Sequence, residues 1–274
     1  MHKPRRPKLG QHFLADTHYR SRIVHALGLR AGDLVVEIGP GHGAMTALLA
    51  SQVRLVAAVE VDPVLARELK QKFQQEPKVQ IANADILATD LAAICRRFEA
   101  NQCFVFGNVP YYITSPILHH LLGFAGSIRA MGLLVQREVA NRLAARPGTR
   151  DYGYLTVLAG LHASPRVVLQ VPPGAFSPPP KVHSALVYFE MHSPDTRIGL
   201  GQKKEEFRSF LKQCFAYKRK KLLNCLAEVH TRQRVEQELE RLNVPLKARA
   251  EELSLEDFIA LFTSLARDGG PGGV

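Results

Sequence analysis

Between Leu34 and Val135 the apolar residues fall into short, nearly continuous blocks, and between the blocks apolar residues recur at helical spacing. The blocks Leu34-Val35-Val36-Glu37-Ile38, Arg54 to Val59, Val79 to Ala82, Cys103 to Gly107 and Met131 to Val135 predict strands, that from Arg54 to Val59 of the buried type. The intervening runs predict helices over about Ala44 to Ala50, Pro63 to Phe73, Leu91 to Phe98 and Arg137 to Ala145. Asp16 or Thr17 caps a preceding helix that ends before Gly28, Pro63 suits a first helical turn, and Ser115 caps a helix carrying Pro116. Repeated strand–helix units in this order predict a doubly wound, mainly parallel sheet.

The pattern then changes. Arg146 to Gly153 reads as a loop. Arg166 to Val171 and Val182 to Met191 read as strands joined only by the proline-rich turn Pro172 to Pro180, which predicts an antiparallel edge. His192 to Gly201 is a linker by composition, and Lys203 to Ala266 is helical and charged with no strand signal. The predicted organisation is a flexible basic arm at 1–10, an α/β domain at 11–195, a small all-α domain at 200–268 and a disordered glycine-rich tail at 269–274.

Composition narrows the partner. The 274 residues are 46% hydrophobic, enough for a sizeable core, and carry a formal net charge of +11, which favours a polyanion such as nucleic acid. The four cysteines form no CxxC pair and no zinc-type spacing with histidine, so they read as free core thiols of a reducing compartment, with no metal site. No run is long enough to span a membrane, and no apolar signal core follows the basic N-terminus. A soluble, cytoplasmic protein is expected.

The chemistry concentrates at strand ends. Gly39-Pro40-Gly41-His42-Gly43 follows the first of the five blocks, where glycines let the backbone turn sharply and approach a ligand. The spacing Gly39-x-Gly41-x-x-Ala44 also matches the dinucleotide fingerprint. Glu60 closes the next strand, where a carboxylate meets a ribose diol, and the ribose belongs to NAD and S-adenosylmethionine alike. Asp85, in Asn83-Ala84-Asp85, offers an acceptor for an adenine amine. In an open parallel sheet ligands gather at the strands' carboxyl ends, and all these residues fall there with Asn108.

Asn108-Val109-Pro110-Tyr111 suits one particular task. The exocyclic nitrogen of adenine is a poor nucleophile because its lone pair is delocalised into the ring. Two acceptors on its hydrogens favour a tetrahedral nitrogen and expose that pair. The Asn108 side-chain oxygen and the backbone carbonyl of Val109 or Pro110 are the candidates; Pro110 stiffens the loop and Tyr111 stacks on the base. Attack on a sulfonium methyl then depends on positioning and electrostatics more than on a strong base.

With these motifs and Leu9-Gly10-Gln11-His12-Phe13-Leu14, Gln136-Arg137-Glu138-Val139-Ala140 and Phe176-Ser177-Pro178-Pro179-Pro180-Lys181-Val182, nearly the whole chain resembles the rRNA adenine N6-dimethyltransferases. The resemblance implies a Rossmann-like class I methyltransferase domain followed by a helical domain. It implies S-adenosyl-L-methionine as methyl donor, S-adenosyl-L-homocysteine as product, and cofactor contacts from His12, Leu14, Gly39, Glu60, Asp85 and Asn108, which Gly41 joins through the glycine turn. It implies that Phe176 faces the target base opposite Tyr111. His12 departs from a frequent Asn, a change that a backbone contact tolerates. The implied substrate is two adjacent adenines near the 3′ end of 16S rRNA in an immature 30S subunit, each methylated twice by a monomeric enzyme.

Lys218-Arg219-Lys220-Lys221 reads as a phosphate-binding patch for RNA, with Lys203, Lys204, Arg208 and Lys212 upstream and Arg5, Arg6 and Lys8 in the arm. Three other readings compete: an Erm-type enzyme acting on 23S rRNA, a non-catalytic ribosome-assembly or transcription factor on the same fold, and an NAD oxidoreductase. The last leaves the asparagine motif unexplained.

Overall fold

The computed structural model describes residues 12–192, 200, 203–217 and 220–267. The 1–10 arm, Gln11, Lys218, Arg219 and the 269–274 tail lie outside them. Contacts divide the chain into two units, one built from 12–140 and 163–192 and the other from 141–162 and the described residues after 192.

The first unit carries a seven-stranded sheet. After β1 (Phe13–Leu14) come α1 (Thr17–Ala26), β2 (Leu34–Ile38), α2 (Ala44–Ala50), β3 (Leu55–Glu60), α3 (Pro63–Lys72), β4 (Val79–Asn83) and α4 (Leu91–Arg97). Then follow β5 (Cys103–Asn108), α5 (Thr114–Gly123), β6 (Ile128–Gln136) and α6 (Arg137–Leu143). The unit closes with β7 (Ala163–Val171), β8 (Phe176–Ser177) and β9 (Ser184–Met191). The strand order is β4-β3-β2-β5-β6-β9-β7, parallel through β6, with β9 antiparallel to both neighbours. Every residue of β2 is buried, as expected of a strand covered on both faces.

Local chemistry sets the boundaries. The Asp16 carboxylate accepts from Tyr19 N and Asp62 from Val64 N and Leu65 N, capping α1 and α3 with their own side chains. Ser115 does not cap α5: that helix begins at Thr114 without a side-chain cap, and Ser115 lies inside its first turn. The antiparallel edge forms as the proline-rich turn predicts, with β9 threaded between β6 and the outermost β7. β1 and β8 add a small antiparallel ribbon, Phe13 opposite Ser177 and Leu14 opposite Phe176, which no periodicity reveals in so short a run.

Chain order reverses between β2 and β5. Successive units move outward from β2 through β3 to β4, and the chain then returns to the other side of β2. Such a switch point opens a crevice at the strands' carboxyl ends. Ile38 lies opposite Gly107 and Glu60 opposite Asn83, so the segments beginning at Gly39, Val61, Ala84 and Asn108 leave the sheet along one rim.

The second unit is helical: α7 (Tyr154–Gly160), α8 (Lys204–Cys214), α9 (Leu222–Leu226), α10 (Arg232–Arg241) and α11 (Leu255–Arg267). Residues 141–162 belong here rather than with the sheet, because Tyr152, Val157 and Leu161 share a core with Phe207, Leu211 and Phe258. Ser254 and Asp257 cap α11 reciprocally, each accepting the other's backbone N–H at 3.1 and 2.9 Å. All four cysteines are buried free thiols.

Candidate active site

The crevice holds a cavity of about 250 Å³. Its rim comes from the loops after β2, β3, β4 and β5, together with His12 and Phe13. Gly39 and Gly41 line it, both with positive φ (+63° and +58°). A Cβ on Gly41 would lie 2.7 Å from the Phe13 ring, which crosses directly over this turn. Gly43 does different work: a Cβ there would meet Phe73 at 2.6 Å and Leu69 at 2.7 Å, so its absence lets α3 pack close.

Glu60 is buried at the end of β3 and spans two loops. Its Oε2 accepts from Gly41 N at 3.1 Å and its Oε1 from Asp62 N at 3.0 Å. The carboxylate thus fixes the glycine turn and keeps lone pairs for a further donor. Asp85 uses Oδ1 to accept Leu87 N at 2.9 Å, leaving Oδ2. Ile38, Val59, Val61, Ile86 and Leu87 supply apolar walls. Val61 and Leu87 are exposed aliphatic residues directly after Glu60 and near Asp85, a loop signal that could have marked them.

Charge discriminates between nucleotides. Two carboxylates line the cavity, and among its lining residues there is no Lys or Arg. A dinucleotide's pyrophosphate is poorly served there, whereas a cationic sulfonium is favoured. Glu37 adds a third acid nearby, buried in β2. Burial is the main cause that raises its carboxyl to about 7; Thr46 opposes the shift and the Glu60 charge adds to it.

At the end of β5 the Asn108 Nδ2 donates to the His12 carbonyl at 2.8 Å. That commits the nitrogen end of the amide and leaves Oδ1 as acceptor. The Pro110 carbonyl accepts from Ile113 N at 3.1 Å and from the buried Thr114 hydroxyl at 3.3 Å. The Val109 carbonyl has neither partner among the described residues, while Val109 N donates to Leu134 O and fixes the peptide. Tyr111 lines the cavity; its hydroxyl pairs with Ser184 at 2.8 Å and its ring stacks on His12 at 5.8 Å and 27°. Burial raises the Tyr111 pKa, with Ser184 opposing it, which keeps the phenol neutral. Ser184 carries no sequence signal, and only the antiparallel placing of β9 reveals it.

The cavity therefore gathers His12, Gly39, Gly41, Glu60, Asp85, Asn108, Pro110 and Tyr111. Leu14 and Phe176 do not line it. Both are buried across from each other in the β1–β8 ribbon and belong to the sheet's core. Phe176, 4% exposed, does not present here the open aromatic face that the family resemblance implies: in a two-residue strand its side chain turns inward and that of Ser177 outward. In the second unit Lys220 is tied to Glu228 at 2.7 Å, which raises its pKa, and its Nζ lies 4.4 Å from the Tyr217 ring centre. Lys221 is exposed at the start of α9.

A switch-point crevice lined by Glu60 and Asp85 beside the Asn108–Tyr111 loop is the arrangement of a Rossmann-like S-adenosylmethionine-dependent methyltransferase. The chain belongs to the ribosomal RNA adenine dimethylase family, whose profile matches residues 2–267. It is 44% identical over 261 residues to ribosomal RNA small subunit methyltransferase A of Acidobacterium capsulatum, covering 95% of this chain and 91% of that protein. It is 41% identical to the protein of the same name from Thermosynechococcus vestitus, covering 93% and 95%. Among solved structures, a dimethyladenosine transferase from Plasmodium falciparum superposes with a TM-score of 0.79 at 23% identity, covering 93% of this chain and 97% of that one. The 23S rRNA methyltransferase ErmE superposes with a TM-score of 0.70 at 30% identity, covering 92% and 99%.

Proposed function

We propose that this chain methylates the N6 amine of two adjacent adenines near the 3′ end of 16S rRNA, in an immature small subunit, using S-adenosylmethionine. The whole-length similarity to small-subunit methyltransferases supports the target. On this reading it works in the cytoplasm, where its ribosomal substrate is assembled, and as a monomer.

One observation carries the chemistry. Asn108 Nδ2 is held by His12 and the Pro110 carbonyl by Ile113 and Thr114, so Asn108 Oδ1 and the Val109 carbonyl are the neighbouring acceptors left for a substrate amine. With one N–H on each, the amine nitrogen turns its lone pair away from the purine plane. Pro110 and the Val109–Leu134 bond hold both oxygens in place before the base arrives, so little reorganisation remains. Tyr111 presents an aromatic face to the flipped base, and its bond to Ser184 fixes the ring. Glu60 accepts the cofactor's ribose hydroxyls, Asp85 its adenine amine, and Gly39 and Gly41 admit its backbone-facing edge. When bound, the cofactor supplies an electrophilic methyl on a sulfonium whose charge the acidic cavity favours. Lys221 and the adjoining Lys218, Arg219 and Lys220 contact RNA phosphates.

The test is tritiated-methyl transfer to immature small subunits and to naked 23S rRNA by wild type and Asn108→Ala. The expected result is incorporation only into the small-subunit RNA, with the rate about 10²–10³-fold lower in the variant and cofactor binding retained. A variant at wild-type rate refutes the grip on the amine. Incorporation into 23S rRNA alone refutes the target and favours the activity of the ErmE-like relatives.

A further inference from the structure

We infer that His12 is a positioning residue for the methyl acceptor, joining the Asn108–Tyr111 loop to the Ala175–Pro178 segment. The inference rests on the proposed grip of Asn108 and Val109 on the amine. Three attachments meet on this one residue. Its carbonyl accepts Asn108 Nδ2 at 2.8 Å, its Nδ1 lies 2.8 Å from the Pro178 carbonyl, and its ring stacks on Tyr111 at 5.8 Å.

A carbonyl only accepts, so Nδ1 carries the proton and donates to Pro178. The ring is thereby anchored on one side while its face rests on Tyr111. The chain beyond His12 is stitched to the same segment: Ala15 N and Asp16 N donate to Ala175 O at 2.8 and 3.1 Å, and Phe13 and Leu14 pair with Ser177 and Phe176. Besides the pairing of Asn108 with Leu134 and the bond of Tyr111 to Ser184, both residues are thus tied through His12 to a segment distant in sequence. The His12 carbonyl and ring face meet Asn108 and Tyr111 in the cavity wall, while its Nδ1 holds Pro178, which lies outside the lining. Placement errors of about 1 Å in such groups cost rates on the order of 10²-fold.

This assignment separates His12 from the cofactor contact that family resemblance implies. A cofactor ligand, when removed, weakens cofactor binding; a positioning residue slows transfer and leaves that binding alone. The experiment compares wild type, His12→Ala, His12→Asn, His12→Phe and Asn108→Ala in the full-length protein. It measures the Kd for S-adenosylhomocysteine by calorimetry, then the transfer rate and RNA KM on immature small subunits.

For His12→Ala the expected result is a Kd within about threefold of wild type and a transfer rate lower by about 10–100-fold. His12→Asn keeps a donor for Pro178 without the stack, and His12→Phe keeps the stack without the donor, so each recovers part of the rate. A tenfold weaker Kd with an unchanged rate at saturation overturns the proposal, as does a wild-type rate in His12→Ala. If Asn108→Ala is fully active, the grip reading itself fails. If Asn108→Ala is slow and His12→Ala is not, only the positioning role fails. Should His12→Ala melt far below wild type, the two partial variants decide: equal, wild-type rates in both overturn the proposal.

Discussion

Replacing Glu37 by glutamine should make the protein more stable at pH 8 and leave it nearly unchanged at pH 4. Glu37 lies in the middle of a parallel sheet, 1% exposed, and its Oε2 has no hydrogen-bond partner among the described residues. An unpaired buried carboxylate avoids its desolvation cost by keeping its proton. Its pKa rises from 4.5 to about 7, with burial the largest cause and the Glu60 charge a smaller one. At about 1.4 kcal/mol per pH unit, the difference between folded and unfolded states is on the order of 3 kcal/mol.

The sign follows from proton linkage. Between the two pKa values the folded chain holds a proton that the unfolded chain has released, so stability falls as pH rises. The loss begins near 4.5, the unfolded value, and is complete above about 7, the folded value. Glutamine mimics the protonated acid and removes that loss. Denaturant titrations of both proteins at pH 4, 5, 6, 7 and 8, read as the difference between them, cancel the other titrating groups. The gap should open from near zero to as much as about 3 kcal/mol, or roughly 6–12 °C in Tm at 2–4 °C per kcal/mol. Parallel pH profiles would refute the argument and mean that Glu37 is ionised in the fold.

Gly43→Ala should destabilise more than Gly39→Ala in thermal melts: both strain a positive φ, at about 1–2 kcal/mol, but only Gly43 also forces a Cβ into Phe73 and Leu69, at about 1–3 kcal/mol more. Equal melting temperatures would show that α3 yields freely. Tyr111→Ala should lower kcat/KM for RNA about 10–100-fold through the lost stack, while Tyr111→Phe, which loses only the Ser184 bond, stays within about tenfold; equal losses would place the effect in the hydroxyl. Lys221→Ala should reduce the salt slope of RNA binding by about one, and Lys220→Ala by less because Glu228 already neutralises it; binding measured across a salt series checks the order.

The central strands were legible because burial on both faces leaves nearly continuous apolar blocks, such as Leu34 to Ile38 with Glu37 its one polar residue, whereas the edge strand β4 is mostly exposed and shows a weaker block. The rim residues Glu60, Asp85 and Asn108 were legible for a related reason: Glu60 and Asn108 are the first polar side chains after such blocks, Asp85 lies two residues beyond Asn83 at the end of its own, and parallel topology sends all those ends to one side. The sequence left open which carbonyl pairs with Asn108. That depended on Thr114, which reads as an ordinary helix-start residue until its hydroxyl is seen capping Pro110. Tyr154 to Gly160 was hidden because its helix is seven residues long and its buried Thr156 breaks the apolar pattern.

Phe176 shows how much of a side chain's direction is non-local. In Ala175-Phe176-Ser177-Pro178 nothing in the chain says which face of a two-residue strand looks inward, because that is decided by pairing with Leu14, more than 160 positions away. The same pairing ties the N-terminal segment to the end of β5. A ribbon that buries Leu14 and Phe176 together brings His12 and Pro178 side by side, and from there the hydrogen bond to Asn108 follows. The acceptor geometry at the end of β5 is therefore set by a non-local strand pair as much as by the asparagine loop's own sequence, and substitutions that loosen the ribbon should slow transfer without touching any group that meets the base.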